Sequence, residues 1–175
     1  HNDHTESIRI DPKDAGAYYS RGNARYEKGD FDAAIQDWTD AIRLDPNLAA
    51  AYYSRGCAWG DKGDLDAEIK DYTEAIRLDP NLAKAYSNRG NAWRTKRDHA
   101  AAVQDYTEAI RLKPDFALAY NNRGVTYATL SRYAEAIRDY ETALSLNPND
   151  TRSQTNLKAA KAKQQELEAL VQPLT

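Results

Sequence analysis

Hydrophobic side chains recur along the chain at the spacing of α-helices. One segment carries them three or four residues apart, at Phe31, Ile35, Trp38 and Ile42. This spacing places them on one face of a helix. A similar segment precedes it, and Gly29-Asp30 between the two supplies a helix-ending glycine and a helix-capping aspartate. The pattern therefore predicts two amphipathic helices joined by a short turn.

This hairpin pattern repeats with a constant period. Prolines stand 34 residues apart, at Pro12, Pro46, Pro80, Pro114 and Pro148. Small residues recur at two further places in the period, at Gly22, Gly56, Gly90 and Gly124, and at Ala41, Ala75, Ala109 and Ala143. A single hairpin cannot bury its own apolar face, so successive units must stack. We expect one aromatic side chain of each unit to form the core, namely Trp38, Tyr72, Tyr106 and Tyr140.

The repeat resembles the tetratricopeptide repeat. The unit that begins at Ala49 has the aromatic, glycine, alanine and proline positions of that family at Tyr52, Gly56, Trp59, Tyr72, Ala75 and Pro80. The resemblance implies an all-α fold, a right-handed superhelical solenoid of antiparallel helix hairpins. The predicted units are 1–14, the second half of a truncated upstream repeat, then full repeats at 15–48, 49–82, 83–116 and 117–150, and a C-terminal capping helix at 151–172.

The two ends of the chain differ from the central repeats. Residues 1–12 align in register with 103–114, so we expect the natural protein to continue upstream with further repeats. His1 and His4 then occupy helix positions, and a metal-binding pair or a tag is the weaker interpretation. Beyond Pro148 the chain is mostly polar, with a narrow stripe at Leu157, Ala160, Gln164, Leu167 and Val171. Terminal repeats need a polar outer face, so this segment is predicted to cap the array.

Arginine stands where the family usually has leucine, and each such arginine has a matching aspartate. The arginines are Arg21, Arg55, Arg89 and Arg123, and the aspartates are Asp37, Asp71, Asp105 and Asp139. Their spacing from the turn predicts a ladder of ion pairs between the helices, and the alternative is that the arginines bind a partner's carboxylate. Exposed pairs contribute only about 0.2–1 kcal/mol each, so the ladder would set register more than stability.

Two single departures from the family pattern also occur. Arg25 replaces an aromatic residue. Glu68 replaces a small residue, which predicts a local change of packing in the second full repeat.

Composition excludes several classes of function. The chain has 24 Lys+Arg against 27 Asp+Glu, and this net charge of −3 argues against nucleic acid as a partner. Cys57 is the only cysteine, so the sequence holds neither a disulfide nor zinc-ligand spacing. No apolar run approaches the roughly 20 residues that span a bilayer, and no membrane contact is expected. A cytoplasmic location is expected, with a periplasmic or secreted one left open.

The sequence offers little catalytic material. It lacks the common nucleophile, metalloprotease and nucleotide-binding motifs. His99 stands where sister repeats have Phe31, Leu65 and Tyr133, so we interpret it as a packing residue. We therefore expect no enzyme activity, no catalytic residues, no metal and no cofactor.

The family resemblance implies a protein–protein interaction scaffold, in which the first helices of successive repeats line a concave groove. The groove positions most expected to contact a partner are Tyr19, Asn23, Tyr26, Tyr53, Lys84, Asn88, Asn91, Arg94, Asn121 and Asn122, with Glu27, Cys57, Asp61 and Val125 at lesser ones. Tyrosines provide rigid contact area and asparagines bind main chains, so a protein or an extended peptide is the expected partner. Cys57 is expected to be a small neutral filler, because no neighbour lowers its pKa.

Chaperone-binding members of the family hold a peptide's terminal carboxylate with two lysines, two asparagines and an arginine. Asn23, Lys84 and Asn88 occupy corresponding places here. Tyr19 and Ser54 stand where a lysine and an asparagine are required, and Asn88 stands where the arginine is required. The clamp is incomplete, which argues against a chaperone adaptor. The alternatives are a non-catalytic region of a larger enzyme, or a self-assembly module.

Overall fold

The computed structural model describes residues 2–172, and the side chains of residues 4–172. This range forms α-helices and contains no strand, which confirms the all-α fold class. The helices are α1 Asn2–Ile10, α2 Ala15–Glu27, α3 Phe31–Leu44, α4 Ala49–Asp61, α5 Leu65–Leu78, α6 Ala83–Thr95, α7 His99–Leu112, α8 Ala117–Thr129, α9 Tyr133–Leu146 and α10 Thr151–Val171. None of them is long and apolar enough to cross a membrane. The helix position predicted for His1 lies outside the described residues.

The short turns between paired helices have the predicted chemistry. Gly29 and Gly63 adopt φ of 80°, a left-handed conformation that glycine accepts without strain. The carboxylate of Asp30 accepts the backbone N–H of Ala33 at 3.2 Å and so caps α3. Asp64 caps α5 in the same way. Each turn ends one helix and begins the next within three residues.

The chain divides into two compact units, His1–Ala92 and Trp93–Thr175. In unit 1, α1 packs against α2, α2 against α3, α3 against α4, and α4 against α5. In unit 2, α7 packs against α8, α8 against α9, and α9 against α10. Each unit is therefore a stack of helices in chain order.

The predicted aromatic core is confirmed. Trp38, Tyr72, Tyr106 and Tyr140 are all buried. Gly22, Gly56 and Gly124 face Trp38, Tyr72 and Tyr140, which explains why a small residue recurs there: a Cβ atom at Gly22 would stand 2.7 Å from Nε1 of Trp38. Any larger side chain would force the two helices of a hairpin apart.

The arginine and aspartate ladder forms within both units. The closest nitrogen–oxygen distances are 2.7 Å for Arg21 with Asp37, 2.7 Å for Arg55 with Asp71 and 2.8 Å for Arg123 with Asp139. The fourth predicted pair, Arg89 with Asp105, has its members in different units. These pairs contradict the alternative in which the arginines point at a partner.

The same arginines also join neighbouring repeats. Nη1 of Arg55 donates to Oγ1 of Thr39 at 3.1 Å, one repeat earlier. Arg89 with Thr73 and Arg123 with Thr107 repeat this contact at 3.2 and 3.1 Å. Each of these arginines also lies over the tyrosine three residues before it, Tyr52, Tyr86 or Tyr120. One side chain therefore connects its own hairpin to the preceding one.

The expectation that these ion pairs are exposed is wrong. Asp71 is only 4 % exposed, and Asp37 and Asp139 are buried as well. A buried carboxylate needs its cation far more than an exposed one, because water no longer compensates its charge. The aspartate hydrogen bond raises the pKa of Arg55. Arg25, which replaces an aromatic residue, places Nη1 3.0 Å from Oδ2 of Asp37 and so adds a second cation to that carboxylate.

Helix α10 packs closely over its first half and lies exposed at its end. Ser153 and Ala160 are buried, and Leu157 packs against the core around Tyr140. Leu170 is 80 % exposed. The predicted apolar stripe is therefore buried in its first part and exposed at its end, where Val171 is 82 % exposed.

Candidate partner-binding face

The candidate site in unit 1 lies on α2, α4 and the start of α6. Tyr26 of α2 has its ring 5.4 Å from Phe31 and 5.7 Å from Trp38, measured between centroids. Its hydroxyl donates to Oδ2 of Asp61 at 2.5 Å. Burial, and then this hydrogen bond, raise the pKa of Tyr26. The tyrosine is thus held between α2, α3 and α4, with its ring only half-buried.

Asn23 has its carbonyl oxygen occupied by the protein itself. Nε1 of Trp38 donates to Oδ1 of Asn23 at 3.1 Å and to the backbone oxygen of Tyr19 at 3.3 Å. This hydrogen bond orients the amide, so its NH₂ group is the part that can donate to a ligand. Tyr19 packs against the same tryptophan.

Tyr53, Cys57 and Asn88 form a second cluster, which joins α4, α5 and α6. Nδ2 of Asn88 donates to the hydroxyl of Tyr53 at 3.2 Å, and the hydroxyl of Tyr72 donates to Sγ of Cys57 at 3.4 Å. Burial raises the pKa of Cys57, which keeps the thiol protonated at neutral pH. Burial also raises the pKa of Tyr53 to about 12. The prediction that Cys57 is a neutral filler is confirmed.

Glu68 lies beside these residues as a buried carboxyl group. It is 8 % exposed, and Gly60 leaves the room for it, since a Cβ atom there would stand 2.8 Å from Oε1 of Glu68. Burial, and then the negative charge of Asp61, raise the pKa of Glu68 to about 7. A hydrogen bond with Tyr72 lowers the pKa of Glu68 and partly offsets that rise. The predicted change of packing in this repeat is thus accommodated by a glycine on the facing helix.

The remaining predicted residues differ in how much surface they offer. Lys84 is exposed at the start of α6, and Asn91 is half-buried. Arg94 belongs to unit 2, where its positive charge acts on Tyr106 and Tyr140. Burial raises the pKa of each of these tyrosines to about 12, and Arg94 partly offsets that rise.

Asn121 is a correction to the sequence prediction. It is only 2 % exposed, because its Oδ1 accepts hydrogen bonds from Oγ of Ser153 at 3.0 Å and Nδ2 of Asn156 at 3.2 Å. Its side chain anchors α10 and is not open to a partner. Asn122 is 6 % exposed and likewise offers little surface. The sequence pattern missed this role because it shows which helix a residue occupies and not what the next helix places over it.

The described part of the chain shows no metal-binding cluster. Within it, no group of three or more histidine, cysteine, aspartate or glutamate side chains is arranged to hold an ion. His99 is half-buried at the first residue of α7.

Comparisons with known proteins identify the repeat. The tetratricopeptide repeat family matches residues 83–116 and 117–150. A related TPR repeat profile matches residues 22–59 and 61–93, so the two together cover most of the chain. A search of curated protein sequences gives no significant match.

Several solved structures resemble the chain. A crystal structure of MamA protein is 27% identical with a TM-score of 0.82, covering 86% of this chain and 82% of that one. The first TPR of Spaghetti (RPAP3), bound to the HSP90 peptide SRMEEVD, is 28% identical with a TM-score of 0.64, covering 65% and 90%. The second TPR domain of human RPAP3, in complex with the HSP70 peptide SGPTIEEVD, is 30% identical with a TM-score of 0.62, covering 65% and 94%. This chain belongs to the tetratricopeptide repeat family.

Proposed function

We propose that this chain is a non-catalytic scaffold that binds an extended segment of a partner protein on α2, α4 and the start of α6. The observation that carries the proposal is that polar side chains on these helices are held by the protein itself. Trp38 orients Asn23, and Tyr53 engages Asn88. Side chains that are ordered before binding lose little conformational entropy when a ligand arrives.

The chemistry of these side chains favours a main chain with a negative charge nearby. Asn23 presents an amide donor, which suits a backbone carbonyl. Lys84 presents an exposed ammonium group, which suits a carboxylate. Half-buried Tyr19, Tyr26 and Tyr53 add rigid contact area. The two RPAP3 domains, whose peptides end in Glu-Glu-Val-Asp, support this class of ligand by similarity.

The partner proposed here differs from those chaperone peptides. Tyr19 packs against Trp38, and Ser54 is a short neutral side chain, at two places where the chaperone clamp has a lysine and an asparagine. Asn88 is occupied with Tyr53 at the place of the arginine. A segment with fewer carboxylates therefore suits this face better. A cytoplasmic location belongs to the same proposal.

A charge reversal at Lys84 tests the proposal. Short random peptides selected for binding to the wild-type chain serve as probes, and their affinity is measured for Lys84→Glu and for the matched control Lys70→Glu on α5, where the lysine is also exposed. A charge-assisted hydrogen bond contributes about 1.5–3 kcal/mol, so Lys84→Glu is expected to weaken binding by roughly tenfold or more. Lys70→Glu is expected to bind like the wild type. Equal affinities for both variants would contradict this location of the site.

A further inference from the structure

A cleft of about 360 Å³ opens in unit 2 between α8 and α10. Its lining includes Val125, Ala128, Tyr133, Tyr140, Asn156 and Lys163. The volume lies in the range of sites that hold small ligands or single side chains.

The first full repeat shows a side chain that can occupy this place. Counting by the 34-residue period, the residues of unit 1 that correspond to Ala128 and Lys163 are Tyr26 and Asp61. In unit 1, the tyrosine ring lies in the space between the helices, and its hydroxyl binds the aspartate. Because Ala128 has only a methyl group, it leaves open the space, here called the slot, that the ring of Tyr26 fills three repeats earlier.

The walls of the slot are retained although the ring is absent. Tyr133 and Tyr140 correspond to Phe31 and Trp38, the two side chains that contact the ring of Tyr26. Buried Ala160 forms one hydrophobic cluster with Tyr140, as Ala58 does with Trp38. The surroundings of the slot thus still suit an aromatic ring.

The charge at the mouth of the slot is reversed. Lys163 is the equivalent of Asp61, which in unit 1 accepts the hydrogen bond from the hydroxyl of Tyr26. Its ion pair with Glu166, at 2.9 Å, is exposed on both sides and so competes weakly with a ligand. The positive charge of Lys163 therefore favours a carboxylate at the opening of the slot, whereas the negative charge of Asp61 in unit 1 favours a hydroxyl donor.

We infer that the cleft receives an aromatic side chain from a segment of the partner protein, with a carboxylate of that segment bound by Lys163. The inference rests on the proposed function, and it names the chemistry of the segment. The ring takes the place of Tyr26 against Tyr133 and Tyr140. The acidic group is adjacent to the aromatic residue, because Lys163 lies on the same cleft as the slot.

A small probe tests the cleft directly. The probe is 3-phenylpropionate, which joins an aromatic ring to a carboxylate, and binding is followed by NMR titration of the full chain. Amide signals of Ala128, Ala159 and Ala160 are expected to shift, whereas Ala58, beside the slot that Tyr26 fills, is expected not to shift. The neutral analogue 3-phenylpropanamide is expected to bind less tightly. Equal shifts at Ala58 and Ala160, or none at either, would overturn the inference.

Two variants separate the ring from the charge. Ala128→Tyr combined with Lys163→Asp recreates the Tyr26 and Asp61 arrangement, and it is expected to abolish the shifts. Lys163→Asp alone changes only an exposed side chain, so the fold is expected to persist while affinity for 3-phenylpropionate falls about tenfold. Lys158→Asp, also exposed on α10 but outside the cleft, is the matched control. Unchanged binding by Lys163→Asp would overturn the inference.

The outcome is independent of the test of the proposed function. Loss of peptide binding by Lys84→Glu concerns unit 1 alone. Peptides that bind normally with no probe bound in the cleft would reject this inference and leave the proposed function standing. If the probe binds in the cleft but Lys84→Glu and Lys70→Glu bind the selected peptides equally, the proposed site in unit 1 would be rejected and the inference about the cleft would be supported.

Discussion

Glu68 is the residue that departs furthest from its equivalents in the other repeats. Ala34, Ala102 and Ala136 occupy the same place and are fully buried. The glutamate fits because the facing residue is Gly60. Since burial and Asp61 raise its pKa from 4.5 to about 7, the folded chain holds this proton more tightly than the unfolded chain does.

Replacement of Glu68 by glutamine is expected to stabilise the protein at high pH. The wild-type group lowers the free energy of unfolding as pH rises from 4.5 to 7, because the unfolded chain releases the proton first. Glu68→Gln is expected to raise Tm at pH 8, by an effect of up to roughly 3 kcal/mol, and to change it little at pH 4.5. Thermal unfolding at both pH values measures this, with exposed Glu27→Gln as the control. An equal change in Tm at both pH values would show that Glu68 does not titrate in this range.

Substitution of Asp71 is expected to lower the stability of the fold without changing the affinity for a partner. Asp71→Asn removes the charge that Arg55 pairs with inside the hairpin, and it is expected to lower the free energy of unfolding by about 2–4 kcal/mol. Glu74→Gln, which breaks an exposed pair with Arg77, is expected to cost less than about 1 kcal/mol. Denaturant unfolding compares the two. Peptide affinity of folded Asp71→Asn is expected to equal that of the wild type, and a large loss would assign the aspartate to the site.

At the scale of elements, α10 is anchored by one buried asparagine. Ser153 and Asn156 of α10 both donate hydrogen bonds to Oδ1 of Asn121 on α8. Beyond Ala160 the helix has few buried side chains, and its last leucine is exposed. The first half of α10 is therefore the part whose stability depends on α8.

Asn121→Ala is expected to loosen α10 selectively. The substitution removes the oxygen that accepts from Ser153 and Asn156, whereas Oγ of Ser153 keeps Oδ2 of Asp150 at 2.6 Å, so the expected cost is about 1 kcal/mol. Amide hydrogen exchange is expected to accelerate in α10 while α2 and α3 keep their protection. Asn149→Ala, at an exposed position before α10, is the control. Uniform acceleration along the chain would indicate global destabilisation and contradict the anchoring role.

At the scale of the whole molecule, membership in the tetratricopeptide repeat family indicates protein binding as the class of function but does not identify the ligand. The first TPR of RPAP3 is bound to SRMEEVD, yet three clamp places are altered in this chain. Each missing charge-assisted hydrogen bond costs about 1.5–3 kcal/mol. We therefore expect calorimetry to show SRMEEVD binding at least roughly 100-fold more weakly here than to that RPAP3 domain. Comparable affinities would show that the altered places do not matter.

The sequence by itself determined the helices, their turns and the aromatic core. This information is local or periodic: Gly29 and Asp30 define a turn through their own backbone chemistry, and the 34-residue period places Trp38 and Tyr140 equivalently. The pairing of arginine with aspartate was also predictable, since both lie at the same height on antiparallel helices. The sequence therefore predicted the family and the general class of function.

Only the tertiary structure decided which of these side chains are buried and which remain open. Asp71 lies buried inside a hairpin, 2.7 Å from Nε of Arg55, where the sequence suggested an exposed pair. Asn121 is covered by α10, and Ala128 leaves a cleft that Tyr26 fills elsewhere. Burial depends on which side chains of neighbouring helices meet in space, and a periodic sequence places those neighbours without specifying how completely they fill the space between them.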